Sequence, residues 1–255
     1  MLGKLLKYDF RAMFRVFLPL WGALLAVSFV NSFTLNSNRM GISGAVLFIA
    51  YIGIIIAIMT VTLVLVVQRF YNGLLKSEGY LMFTLPVRPW QLIASKGISA
   101  MVVTVLSVLM AILSILIISR DALQFPEFRD FWEALRRLDG DGALMLALIA
   151  VLIFSSVLAS IMHIHAALAL GHLANSHRIA WAVGAYVGIS MLFTAIAGFL
   201  TRLSNRFNFN LDLDFLNEVA AVNICLMILI LINVLQIVVF FVTTERILSK
   251  RLNLE

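Results

Sequence analysis

The stretch "AVLFIAYIGIIIAIMTVTLVLVV", Ala45–Val67, is 23 residues long and carries no charge. At about 1.5 Å of rise per residue a helix of this length exceeds the roughly 30 Å of hydrocarbon in a bilayer, so the segment reads as a transmembrane span. Five more stretches qualify on the same grounds: Val16–Leu35, Ile98–Ser119, Ala143–His172, Ile179–Thr201 and Val219–Thr243. The fourth is long enough to tilt or to project beyond the bilayer. Of the 255 residues 62% are hydrophobic and 13% charged, against about 25% charged in a soluble domain. The expected class is an all-α, polytopic membrane protein with six transmembrane helices, a single transmembrane domain over residues 1–255. The basic start followed by an apolar run of about 20 residues reads as a span, not as a removable signal peptide with its shorter core. The lone cysteine, Cys225, excludes an internal disulfide and a cysteine metal site.

Six spans put both termini on one side, and the distribution of Lys and Arg decides which. The N-terminus, the second and fourth loops and the tail carry twelve basic residues against four acids, a net of +8. The three remaining loops carry seven basic residues against nine acids, a net of −2, which together account for the chain's +6. By the positive-inside tendency the first set is cytoplasmic, as expected for a multi-pass protein of the cell membrane with both termini inside.

Three segments outside the spans have patterns of their own. In residues 1–15 and just beyond, a helical wheel gathers Lys4, Lys7, Arg11 and Arg15 within about 80°, with Leu, Met and Phe opposite. This predicts an interfacial amphipathic helix with its basic stripe towards anionic headgroups. Asp9 falls inside the apolar arc, where a carboxylate is costly unless paired, so part of this helix is expected to face protein. Residues 120–141, on the extracytoplasmic side, contain "FPEFRDFWEALRRL" with Pro126 at a first helical position, and predict a short helix on the outer interface. Residues 70–97 form the larger cytoplasmic loop. There Ser77-Glu78-Gly79 interrupts a helical run, Leu85–Pro89 cannot be continuous helix, and Pro89-Trp90-Gln91 restarts one that runs into span three. Its apolar piece "YLMFT" must be covered by headgroups, by the protein's own helix ends or by a soluble partner; periodicity leaves these open.

"FYNGLLKSEGYLMFTLPVRPWQLIASK", Phe70–Lys96, resembles the signature loop of bacterial ATP-binding-cassette (ABC) transporter permeases of the ABC-2 export type. "LGKLLKYDF" is similar to that family's N-terminal helix, and "GHLANSHRIAWAVGAY", Gly171–Tyr186, to its fourth cytoplasmic loop and the start of the fifth span. The resemblance implies a permease without an ATPase of its own, paired with a second permease subunit, identical or different, and with cytoplasmic ABC ATPase subunits that bind ATP and Mg. It also implies a cytoplasmic coupling helix between spans two and three, with Glu78, Gly79, Tyr80, Leu81, Phe83, Thr84 and Pro86 in the ATPase-coupling element, flanked by the helix of Lys4, Lys7, Asp9, Arg11 and Arg15. The implied activity is export of an amphiphilic substrate, a peptide, lipid or drug, with no enzymatic chemistry and no cofactor in this chain. Independently, the sequence contains no G-x-x-x-x-G-K-[ST], so no phosphate-cradling loop of that kind is present.

Two other classes compete. One is a non-transporting membrane scaffold or immunity protein. The other is a membrane haem or metal redox protein using His163, His165, His172 and His177, since ionisable groups inside a membrane are functional candidates. Four histidines in or just after one span suit a ligand set poorly, and the blander expectation is hydrogen bonding to helix ends or water. The amides Asn31, Gln68, Asn223, Asn233 and Gln236 are expected to bond between helices, and Gly184 with Gly188 forms a G-x-x-x-G contact motif.

Overall fold

The computed structural model describes residues 2–36, 42–75, 88–119, 130, 133, 136, 139–174, 176–206 and 218–250. Among these there is no strand. The helices are α1 (Leu2–Asn36), α2 (Ile42–Phe70), α3 (Pro89–Ile118), α4 (Gly140–Gly171), α5 (Arg178–Arg206) and α6 (Glu218–Lys250). All six are long and apolar enough to cross a membrane, so the chain is an all-α polytopic membrane protein. Within helices every backbone polar group except those of the ends is satisfied locally, which is what a hydrocarbon environment demands.

Two of the helices begin where the chain's turn chemistry says they should. Pro89 opens α3, with the Gln91 N–H donating to the Arg88 carbonyl at 2.9 Å. Asp139 caps α4, its carboxylate accepting from the Gly142 N–H at 2.9 Å. The N-terminal segment differs from the expected layout of a separate interfacial helix and span. Residues 2–36 form one continuous helix with Pro19 inside it. No glycine or polar break lies between Arg15 and Val16 to end the first segment, and a proline is tolerated within a helix of this kind.

The chain forms two compact units. The first comprises Met1–Val66 and Ile98–Leu138 and thus holds α1 with most of α2 and α3. Its helices are joined by polar bonds at several levels. Trp21 Nε1 donates to Ser107 Oγ at 3.2 Å, Asn31 Nδ2 to the Leu47 carbonyl at 3.1 Å, and the hydroxyls of Tyr51 and Ser114 lie 2.9 Å apart. Such bonds, with close side-chain packing, hold helices together where water is absent and the hydrophobic effect between helices is weak.

The second unit comprises Val67–Gly97 and Asp139–Glu255. Here α4 packs along α6 and along α5. The buried face of α4 is rich in small residues (Ala159, Ala166, Ala167, Ala169 and Gly171), which let backbones approach. Gly171 is the extreme case: a Cβ there would collide with the Ala182 backbone of α5. Gly184 and Gly188, by contrast, face open space, with no described atom within 4 Å of an added Cβ. The expected contact at this G-x-x-x-G is not made among the described residues. The last residues of α2 and the first turns of α3, the two stems of the Phe70–Lys96 loop, belong to this second unit.

Candidate functional site

The stem of the loop on the α2 side is unusual. After Phe70 the helix widens into a single π-helical stretch, Tyr71–Leu75, whose Gly73, Leu74 and Leu75 are buried. Such stretches cost hydrogen-bond geometry and concentrate at functional sites. The Phe70 ring is fully buried and stacks on His165 of α4, centroids 4.1 Å apart and planes 13° apart. On the α3 side Leu92, Ile93, Ser95 and Lys96 are buried. The Lys96 stem passes so close to Gly73 that a Cβ there would stand 3.5 Å from Cε and 3.6 Å from Nζ. Lys96, read from the sequence as a loop charge, is therefore 9% exposed; its long apolar stem makes that burial possible.

Beside the π-helical stretch lies a cleft of about 400 Å³ lined by Tyr71, Ser176, His177, Arg178, Ile179 and Ala180. It brings together two of the three segments on which the family resemblance rests. His177 adopts a left-handed backbone (φ 51°), and its carbonyl accepts from the Trp181 N–H at 3.1 Å to start α5. A histidine is among the residues that occupy this region most readily. Glu78, Gly79, Tyr80, Leu81, Phe83, Thr84 and Pro86 all fall in residues 76–87, outside the described residues, as does nearly all of 120–138.

The N-terminal turns of α1 sort as the helical wheel requires. Lys4, Lys7, Arg11 and Arg15 are exposed, while Asp9, Met13 and Phe17 are buried, followed along the same stripe by Trp21, Leu24, Ser28 and Asn31. Asp9 is 7% exposed. It lies on the face that carries the packing of the helix, as its position in the apolar arc implied.

The histidines do not behave as a ligand set. His163 stacks on Tyr186 (4.3 Å) and on Phe240 (4.9 Å), whereas His165 stacks on Phe70. The two are two residues apart and face different neighbours. Among the described residues no three His, Cys, Asp or Glu side chains come together as metal ligands. Ring stacking holds His163 and His165, and His163 also has a hydrogen bond to the Tyr186 backbone. His172 follows the last turn of α4, and neither of its ring nitrogens has a hydrogen-bond partner among the described residues. Burial lowers its pKa below the ordinary histidine value, and the positive charge of Arg178 lowers it further.

A second concavity lies within the second unit, among α4, α5 and α6. It measures about 270 Å³ and is lined by Ser156, Ala159, Ser160, His163, Ser190, Phe193, Asn233, Gln236 and Phe240. Asn233 Nδ2 donates to Ser156 Oγ at 2.8 Å and to Ser155 Oγ at 3.2 Å, tying α6 to α4. Asn223 Nδ2 makes a second tie, to the Asp141 carbonyl at 3.2 Å. These bonds, with that of Asn31, are the interhelical role expected of amides in spans; Gln68 is exposed. The three serines of the cavity had no sequence signal, since an isolated serine in an apolar run is cheap and common.

No family model, curated protein or solved structure matches this chain.

Proposed function

We propose that this chain is the membrane-spanning permease subunit of an ATP-driven exporter of the ABC-2 type, placed in the cell membrane with both termini in the cytoplasm. A separate ATPase subunit, carrying the ATP and Mg, docks on the 70–97 loop, and a second permease subunit completes the translocation unit. One observation supports this reading beyond the architecture. The stem of the signature loop and the 171–186 segment, two stretches singled out by resemblance and far apart in sequence, meet at one cleft through Tyr71, while the adjacent Phe70 stacks on His165 of α4. A docked subunit that pushes on the loop then has a rigid path into the spans. Phe70 bears on His165 of α4, and Lys96 lies across Gly73, so both stems transmit to the same bundle. The substrate is amphiphilic, in keeping with spans that carry few charges.

The test is affinity purification of the tagged chain from its native membranes in a mild detergent, with ATPase activity measured on the eluate. A stoichiometric nucleotide-binding subunit with ATPase activity is the expected result. A chain recovered without such a subunit, in a detergent that preserves its helical circular dichroism, overturns the assignment.

A further inference from the structure

The cavity among α4, α5 and α6 is built at one depth. Ser156 lies midway along Gly140–Gly171, Ser190 close to midway along Arg178–Arg206, and Asn233 midway along Glu218–Lys250. All three helices are long enough to span, so these polar groups converge near the centre of the bilayer. Polar side chains there are costly unless they meet partners.

The bonding within the cavity is incomplete in a particular direction. The hydroxyls of Ser160 and Ser190 donate to carbonyls one turn back, Ser156 and Tyr186, at 2.9 Å each. Their protons are used and their lone pairs are left. Asn233 spends its N–H groups on Ser155 and Ser156 and leaves Oδ1 as an acceptor, and the Gln236 amide makes no hydrogen bond among the described residues. The cavity is thus rich in acceptors, and its remaining polar groups are the Gln236 amide N–H pair, the Ser156 hydroxyl and the His163 ring. It has no Asp, Glu, Lys or Arg in its lining, and residues 142–177, 179–201 and 219–244 contain none at all. A bare cation would lack a carboxylate, and an anion would meet no Lys or Arg, only the His163 ring. Phe193 and Phe240, edge to face at 5.6 Å, add an apolar wall.

Adjoining it is a second concavity of about 480 Å³, lined by Tyr186, Val187, Ser190, Met191, Thr194 and Ala195. Of its three hydroxyls two are spent on the helix, Ser190 to the Tyr186 carbonyl and Thr194 to the Ser190 carbonyl, at 2.9 Å each. Apart from the Tyr186 phenol, what it presents is apolar. The two concavities share Ser190, so a polar niche and an apolar trough meet at one residue.

We propose that this paired site binds a neutral amphiphile: a head rich in O–H or N–H donors, such as a glycerol or another polyol, in the niche of α4–α6, and its acyl chain in the trough along α5. The bound molecule is a bilayer lipid or an exported solute; both present the same chemistry. The site goes beyond the exporter reading and stands if no ATPase partner is found.

The test uses the full chain, with Cys225 retained, in phosphatidylcholine nanodiscs and a diazirine-bearing monoacylglycerol as the photoprobe. Saturable labelling is expected on peptides that hold Ser160, Ser190 or Gln236. Unlabelled mono-oleoylglycerol should compete about ten-fold better than oleate or oleylamine, as the loss of about one to two net hydrogen bonds implies. The pair Asn233→Leu and Gln236→Leu should lower labelling by a similar factor. If that pair does not fold, Ser160→Trp, which fills the niche from an exposed position, should do the same. Native mass spectrometry of the purified chain separates the sources. A retained neutral lipid that is lost in the variant identifies a bilayer lipid, and an empty chain that still labels saturably identifies a solute. Labelling that does not saturate, that charged competitors match, or that a folded variant leaves unchanged overturns the site.

Discussion

Gly171 and the pair Gly184, Gly188 look alike in the sequence and are opposites in the structure. A Cβ at 171 meets the Ala182 backbone, which cannot step aside as a side chain can, whereas at 184 and 188 it meets nothing. Gly171→Ala is therefore expected to cost about 1–3 kcal/mol by overpacking, seen as a lower thermal midpoint of the purified chain in detergent. Gly184→Ala and Gly188→Ala should change that midpoint by no more than about 0.5 kcal/mol equivalent. His172 makes a second prediction at this scale. Its folded pKa lies below the ordinary value of about 6.5 because burial, and then Arg178, disfavour the imidazolium. Above about pH 6.5 the ring is neutral in both states and contributes nothing. As pH falls below that, the unfolded chain takes up the proton first, so stability declines towards the folded pKa, by at most about 1.4 kcal/mol per pH unit. Midpoints recorded from pH 7.5 to 5 should fall less steeply in His172→Gln than in the parent. Identical slopes would show that another group carries the acid sensitivity.

At the scale of elements, α1 divides its labour by face. The buried stripe Asp9, Met13, Phe17, Trp21 carries packing, and the exposed Lys4, Lys7, Arg11 and Arg15 do not. Phe17→Ala, at a position with 0% exposure, is expected to cost about 3–5 kcal/mol. Arg11→Gln should leave the thermal midpoint in detergent unchanged and weaken the stabilisation given by added anionic lipid, by about 1 kcal/mol per charge removed. Midpoints of the two variants with and without anionic lipid check both halves. Much of this was legible beforehand, because periodicity reports the face a residue occupies: Asp9 stood out by lying in the wrong arc, and Pro89 marked the start of α3. What periodicity cannot report is which neighbour a face meets. The stack of Phe70 on His165, the burial of Lys96 over Gly73 and the serines of the α4–α6 niche depend on helices far apart in sequence. The same blindness made Gly184-x-x-x-Gly188 look like the close contact that Gly171 supplies. The boundary between interfacial helix and span near residue 15 was drawn from a change in pattern, from an amphipathic wheel to a continuous apolar run. Charge ends where the membrane begins, but the backbone hydrogen bonds of α1 run on across that point.

For the whole molecule, the proposed orientation of the six spans rests on twelve basic residues against four acids on the termini and the second and fourth loops. A green fluorescent protein fused at the C-terminus should fluoresce, and alkaline phosphatase inserted after Asp130 should be active; the reverse pattern would invert the topology. That orientation decides whether the 70–97 loop can meet an ATPase at all, and so it bears on the proposed function. If it does, the coupling element must be separable from the fold. Glu78 and Leu81 lie outside the described residues, while the stems of their loop belong to the second unit, where Phe70 stacks on His165 of α4 and Lys96 lies against Gly73. Replacing Glu78→Ala together with Leu81→Asp removes a charge and places another in the apolar piece without touching either stem. The double variant should therefore insert, fold and show unaltered helical circular dichroism. Its recovery of ATPase activity on co-purification should drop by about ten-fold or more, the effect of losing a central anchor in an interface. Full recovery of the ATPase by a variant that carries an aspartate at position 81 would place the docking surface elsewhere on the chain.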